Sequence, residues 1–143
     1  MSGEAPIELR DFHDSDFDSL HELWEAAGIG NPARGDSLAS IHRTLGMGGR
    51  LFLLVSGPTV AGSAWISDDG RRLYLHHMAV RPELQGRGLG KRLMEAVVAV
   101  ARERGMQMKL EVSESNLRAV ALYTEYGFGP LENYRTMIRR TAG

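Results

Sequence analysis

Seven consecutive residues, Gln85-Gly86-Arg87-Gly88-Leu89-Gly90-Lys91, hold the densest chemical signal in this 143-residue chain. Three glycines at alternate positions follow an apolar, strand-like run from Leu73 to Val80 and precede an amphipathic helical pattern. Glycines let a backbone approach an anion closely, and the first N–H groups of a helix point outward without intrahelical partners. The helix dipole adds partial positive charge at that end, so the stretch reads as a cradle for a phosphorylated ligand.

Spacing separates the phosphate loops that fit this description. A P-loop needs G-x-x-x-x-G-K-[ST]; counted back from Gly90-Lys91, the first glycine falls on Gln85 and the closing hydroxyl on Arg92. A dinucleotide fingerprint needs G-x-G-x-x-G, whereas Gly86, Gly88 and Gly90 give G-x-G-x-G. Both nucleotide readings fail.

Around the loop, the hydrophobic pattern predicts the elements that position it. Ile7 to Arg10 alternates as a short strand, and Phe17, Leu20, Trp24 and Ala27 recur at helical steps after a cap at Asp14 or Ser15, up to Gly28. A turn-rich connection, Gly28 to Gly35, leads to a second helix carrying Leu38, Ile41 and Leu45 and closed by Gly46. Arg50–Ser56 and Val60–Ser67 flank Gly57-Pro58-Thr59 as a hairpin, and Asp68-Asp69-Gly70 turns the chain into Leu73–Val80. After the loop, Leu89, Leu93, Val97 and Val100 form the stripe of a central helix ending at Gly105. Met108–Val112 has the length of a buried strand, a helix capped by Ser115 or Asn116 runs to Tyr126, and Phe128 to Ile138 is expected as a closing strand. The order is β-α-α-β-β-β-α-β-α-β, an α/β fold with a mixed sheet. The strands flanking the glycine loop are parallel, and helices cover both faces.

Composition narrows the class. The length is that of one domain over residues 1–143, and 43% hydrophobic with 24% charged residues is ordinary for a globular protein. No cysteine is present, which excludes a disulfide framework and a cysteine nucleophile. A net charge of -1 gives no argument for nucleic acid or an anionic membrane, and no apolar run reaches the eighteen or so residues of a span. The cytoplasm is the expected compartment. No His, Asp and Glu cluster has metal-ligand spacing.

A second motif lies about thirty residues after the loop. Gln85-Gly86-Arg87-Gly88-Leu89-Gly90 is similar to the Q/R-x-x-G-x-G/A pyrophosphate loop of the GNAT family of N-acetyltransferases, with Val80-Arg81-Pro82-Glu83 resembling its lead-in. Asn116 to Phe128 matches the same family's N-x-x-A-x-x-x-Y-x-x-x-G-F segment at every named position: Asn116, Ala119, Tyr123, Gly127 and Phe128. Leu110-Glu111-Val112-Ser113-Glu114-Ser115-Asn116 resembles the L-E-V-x-x-S-N segment of the ribosomal-protein alanine acetyltransferase branch. The resemblance covers Ile7 to about Ile138 and is weakest from Gly28 to Arg50.

This resemblance implies an acetyl-CoA-dependent N-acetyltransferase of GNAT fold. Amides from Gly86 to Lys91 would bind the pyrophosphate, with charge from Arg87, Lys91 and Arg92, while Gln85 and Leu89 complete the loop. The pantetheine arm would pair with the edge Met78-Ala79-Val80 as an added strand, aided by Asn116, where the sheet splays between its fourth and fifth strands. The Met78 or Ala79 amide would stabilise the oxyanion, and Tyr123, a phenol of ordinary pKa about 10, would protonate the leaving thiolate. Glu111 is the base that the resemblance implies, with His77 or a water chain as alternatives. The acceptor is a primary amine, either a small molecule or a protein N-terminus or lysine, seated against the two N-terminal helices. Dimers are common in the family, so a homodimer is an expectation as well. With no cysteine to carry the acetyl group, transfer is direct, in a ternary complex. A non-catalytic acyl-CoA-binding or sensor domain is the alternative.

Tyr123, without its motif, is an ordinary half-buried aromatic, and Glu111 can pair with Lys109 or an arginine. His76 and His77 alternate in a strand, which would send them to opposite faces. Trp24 and Trp65 read as core residues, and Arg102-Glu103-Arg104 as a solvated helix end.

Overall fold

In a computed structural model, which describes residues 6–141, five strands form one sheet. They are β1 (Glu8–Asp11), β2 (Arg50–Ser56), β3 (Thr59–Asp68), β4 (Leu73–Val80) and β5 (Met108–Leu110). The helices are α1 (Phe17–Ala26), α2 (Leu38–Gly46), α3 (Leu89–Arg104) and α4 (Leu117–Glu125). Strands lie in sequence order, antiparallel from β1 to β4, with β4 and β5 parallel across the α3 crossover.

β2 explains why both faces of the sheet need cover. Its residues from Leu51 to Val55 are all buried. Leu51, Leu53 and Val55 pack with Leu20, Leu23 and Trp24 of α1 and Ile41 of α2. Phe52 and Leu54 point the other way, to Leu89, Leu93, Met94, Val97 and Val100 of α3 and to Tyr123 of α4. An uninterrupted apolar run is what a strand buried on two sides requires. Each of its fully buried leucines contributes about 1.5–3 kcal/mol.

Local signals set most boundaries. α1 starts at Phe17 after a 3-10 turn over Asp14–Asp16, in which the Asp16 carboxylate accepts the His13 N–H at 2.7 Å. Ser37 caps α2 through the Ser40 amide, and Asn116 caps α4 through the Ala119 amide. Gly105 ends α3 at φ 62, in the left-handed region that suits glycine.

Three expectations are corrected. The closing strand over Phe128–Ile138 does not form; residues 127–141 hold no strand, and Leu131, Tyr134, Met137 and Ile138 are exposed. β5 offers only three residues of edge, and Pro130 removes an N–H from the returning segment. Arg104 is not merely solvated: it donates to Gly48 O at 2.7 Å and to Asp68 Oδ2 at 2.8 Å, pinning the end of α3 to β3. The alternation of His76 and His77 also fails, for a reason that lies in the site.

Candidate active site

The glycine loop meets the geometric demands of an anion cradle. Gly86 (φ 84) and Gly88 (φ 77) both lie in the left-handed region, and a side chain at Gly88 would meet nothing within 4 Å. Gly88 is the N-cap of α3 and supplies no side-chain cap, so the first amides of a sixteen-residue helix stay available at that end. Gly90 serves packing instead, since a Cβ there would sit 3.2 Å from Leu122 Cδ2. Leu89 is buried under the sheet, so it can offer a ligand only its backbone.

The side chains of the loop are differently employed. Gln85 donates to Val80 O at 3.2 Å and accepts from Arg118 at 3.1 Å, tying the loop to the end of β4 and the start of α4. Lys91 pairs with Glu125 at 3.2 Å, and Arg92 donates to Ile7 O at 3.2 Å, so the positive charge expected from these two is directed to the protein. Arg87 is exposed on the loop.

β4 outruns its neighbour. Pairing with β5 covers only Leu73, Tyr74 and Leu75, so the edge from His76 through Met78, Ala79 and Val80 faces an opening between the two strands. On its other side, Ser63 pairs with Ala79 and Trp65 with His76, leaving His77 and Met78 opposite the single residue Ala64. This is a β-bulge, and His77 takes φ 45 within it. The extra residue cancels the expected alternation. The rings of His76 and His77 both meet Trp65, at 6.0 and 5.7 Å, on the α1/α2 face, while Met78 and Val80 pack toward α3.

Side chains from distant segments fasten the bulge. Trp24 Nε1 donates to Ser63 Oγ at 3.0 Å, and Ser63 donates to His77 O at 2.7 Å. Trp24 and Trp65 stack at 5.7 Å with planes 10° apart, and His77 sits edge-on to Trp24 at 4.7 Å. His77 Nε2 meets Asp36 Oδ1 at 2.7 Å, and Asp36 also accepts the Asn31 N–H through its other oxygen. His76 bonds Ser67 Oγ at 2.8 Å and stacks on Tyr74 at 4.6 Å; burial first, then the neighbouring His77, lower its pKa.

Tyr123 and Glu111 line one open cleft of about 1510 Å³ beside β5, which Gly129 and Tyr134 line as well. Tyr123 is buried against Phe128, which it meets edge-on at 5.9 Å, and burial pushes its phenol up to about 12. It is therefore protonated at neutral pH and able to donate. Glu111 accepts the phenol O–H of Tyr74 rather than an ion pair from Lys109. The glycine loop does not line this cleft; it lies at the far end of β4. Asn116 has committed its Oδ1 to the helix cap, which leaves its amide N–H groups for other partners.

Sequence reasoning missed Asp36, Ser63 and Arg118. Asp36 and Ser63 reach their partners across 41 and 14 residues, and Arg118 reaches Gln85 across 33, with no pattern in the chain to signal the pairings. Among the described residues, no group of three or more His, Asp or Glu side chains converges as a metal site, and no helix is long and apolar enough to cross a membrane.

The chain is similar to known proteins in sequence and in fold. Acetyltransferase YE1169 of Yersinia enterocolitica is 30% identical over 125 residues, covering 85% of this chain and 87% of that protein. Mycothiol acetyltransferase of Jonesia denitrificans is 33% identical over 78 residues, 52% of this chain, and the match spans only 25% of that longer relative. Among solved structures, an acetyltransferase of GNAT family from Staphylococcus aureus superposes with a TM-score of 0.80 at 19% identity, over 90% of this chain and 86% of the other. The ribosomal-protein-S18-alanine N-acetyltransferase of Escherichia coli gives 0.72 at 24% identity, over 87% and 78%. A predicted acetyltransferase of Clostridium acetobutylicum, solved with acetyl-CoA, gives 0.71 at 16% identity, over 93% and 96%. The profile of the Acetyltransferase (GNAT) family matches residues 11–128, and the chain belongs to that family.

Proposed function

We propose that the protein is an acetyl-CoA-dependent N-acetyltransferase that acylates a primary amine by direct attack in a ternary complex. One arrangement carries the reading: an uncapped helix N-terminus behind two glycines of positive φ, set at the end of a β4 edge that runs free past β5.

Acetyl-CoA supplies the acetyl group as an activated thioester. The amides of Gly86 to Lys91 would bind its pyrophosphate, and Gly88 leaves room for it. The free edge at Met78, Ala79 and Val80 would pair with the pantetheine amides, with the Asn116 side-chain amide as a further donor. The backbone N–H of Met78 or Ala79 would face the developing oxyanion. Tyr123 holds the proton that the leaving sulfur needs. Glu111 and His77 are the two side chains in contention for the base.

The acceptor would enter from the α1/α2 face, as a small amine, a protein N-terminus or a lysine. Initial velocities measured against both substrates test the reaction order. Intersecting double-reciprocal lines support direct transfer, and parallel lines would mean an acetylated enzyme intermediate.

A further inference from the structure

We propose that His77, held by Asp36, is the general base that takes the proton from the acceptor amine. The inference rests on the N-acetyltransferase reading above and assigns the residue left open there.

A histidine at φ 45 occupies a region that non-glycine residues visit rarely and at an energetic cost. Such backbone persists where surrounding structure over-determines it, and it clusters at functional sites. Here the carbonyl of His77 is held by Ser63, its ring by Trp24 and Trp65, and its Nε2 by Asp36. Four contacts from three other segments of the chain converge on one strained residue.

Asp36 keeps only 12% of its side chain exposed, and its other oxygen is engaged by the Asn31 N–H, so its orientation is set from the α1–α2 connection. An aspartate on Nε2 selects the tautomer with the proton on that nitrogen, which leaves Nδ1 with a free lone pair. Nδ1 has no hydrogen-bond partner among the described residues, and 23% of the His77 side chain is exposed. A base oriented by a third group, with its working nitrogen unengaged, is the arrangement that activates an attacking nucleophile. It directly precedes Met78 and Ala79, one of whose amides is the oxyanion donor proposed above.

The rivals are otherwise employed. The Glu111 carboxylate already accepts from Tyr74, and His76 is bonded to Ser67 and stacked on Tyr74.

The acceptor ammonium gives one proton to His77 Nδ1, and the freed nitrogen lone pair forms the N–C bond to the acetyl carbon. The C–S bond breaks with its electron pair on sulfur, which takes the Tyr123 proton. The nitrogen loses a second proton to solvent, and Tyr123 regains one from solvent as His77 releases its own. Ammonium and thioester thus become amide, thiol and one free proton.

His77→Asn tests the assignment, because asparagine tolerates positive φ. The expected result is a kcat lowered by roughly 10²–10⁴-fold with acetyl-CoA affinity unchanged by calorimetry. In His77→Gly, which carries no Cβ strain, added imidazole should restore turnover in a saturable way, a rescue that a purely structural role does not give. Independently of activity, ring-nitrogen NMR should show the Nε2-protonated tautomer in the wild type and loss of that preference in Asp36→Ala. Wild-type kcat in His77→Asn, failure of imidazole to rescue a folded His77→Gly that binds acetyl-CoA, or an Nδ1-protonated ring would each overturn the proposal. If His77→Asn does not fold, the glycine variant and the wild-type spectrum decide. An active wild type with an active His77→Asn sinks the base assignment alone, whereas a wild type that acylates no amine sinks the N-acetyltransferase reading together with it.

Discussion

Tyr74 donates its phenol O–H to the carboxylate of Glu111, joining the start of β4 to the residue that follows β5. Burial raises the Tyr74 pKa well above its ordinary value, and the acceptor carboxylate raises it further. Glu111→Gln removes the charge and keeps the shape, so the Tyr74 pKa should fall toward the normal range in an ultraviolet tyrosinate titration. With the base at His77, the same variant should lower kcat by less than about tenfold, against the hundredfold or more that loss of a general base brings. A loss of that larger size would move the role to Glu111.

Gly88→Asp should abolish acetyl-CoA binding. The site has φ 77, a region that side chains rarely adopt and that asparagine and aspartate adopt more readily than most, and it opens onto free space at the N-terminus of α3. Aspartate tolerates the backbone but places negative charge where the anion belongs. Gly88→Asn is the control, since it carries the same bulk without the charge. Calorimetry should give a Kd raised far more by the aspartate than by the asparagine.

Tyr123→Phe should lower kcat by roughly tenfold or more with acetyl-CoA binding retained, if the phenol is the proton donor. A pH effect on stability accompanies it. The folded-state pKa of about 12 lies above the ordinary 10.0, so the native chain holds this proton more tightly than the unfolded chain does. The stabilisation is fully present below pH 10 and is lost as pH rises toward 12. Denaturant melts should show the wild type losing about 2 kcal/mol more than Tyr123→Phe across that window.

Asp16→Asn should destabilise the fold by about 1–3 kcal/mol, by breaking charge-assisted hydrogen bonds in a mostly buried pair. Arg10 donates to both Asp16 oxygens at 2.8 Å, and the His13 amide adds a third bond. The Arg10 hydrogen bond is the largest cause of a carboxyl pKa held below the ordinary 3.8. That stabilisation is present above pH 3.8 and lost as pH falls through the folded-state value. The gap between wild type and variant should therefore narrow in acid melts.

Much of this architecture is legible in the chain because its signals are local. The stripe of Leu89, Leu93, Val97 and Val100, the stop at Gly105, and the parallel strand that must follow are consequences of periodicity and turn chemistry. The same holds for the anion cradle, where glycines, a strand end and a helix start are contiguous. What stays illegible depends on partners far away in sequence. The period of two that sends His76 and His77 to opposite faces assumes an unbroken ladder, and nothing in Leu75-His76-His77-Met78-Ala79 announces the bulge. It is held by Ser63 and Asp36, which no short-range pattern connects to it. The expected closing strand fails for the complementary reason. Tyr134 to Ile138 has strand-like composition, but β5 presents too short an edge to pair with it.

Amine-dependent release of CoA from acetyl-CoA, followed by thiol titration across a broad panel of amines, is the decisive measurement of acetyl transfer. Release should require both the amine and the enzyme, saturate in each substrate, and leave the acetyl group on nitrogen in the product. Tight acetyl-CoA binding with no amine-dependent turnover across the whole panel would contradict it and leave the fold as a binding domain.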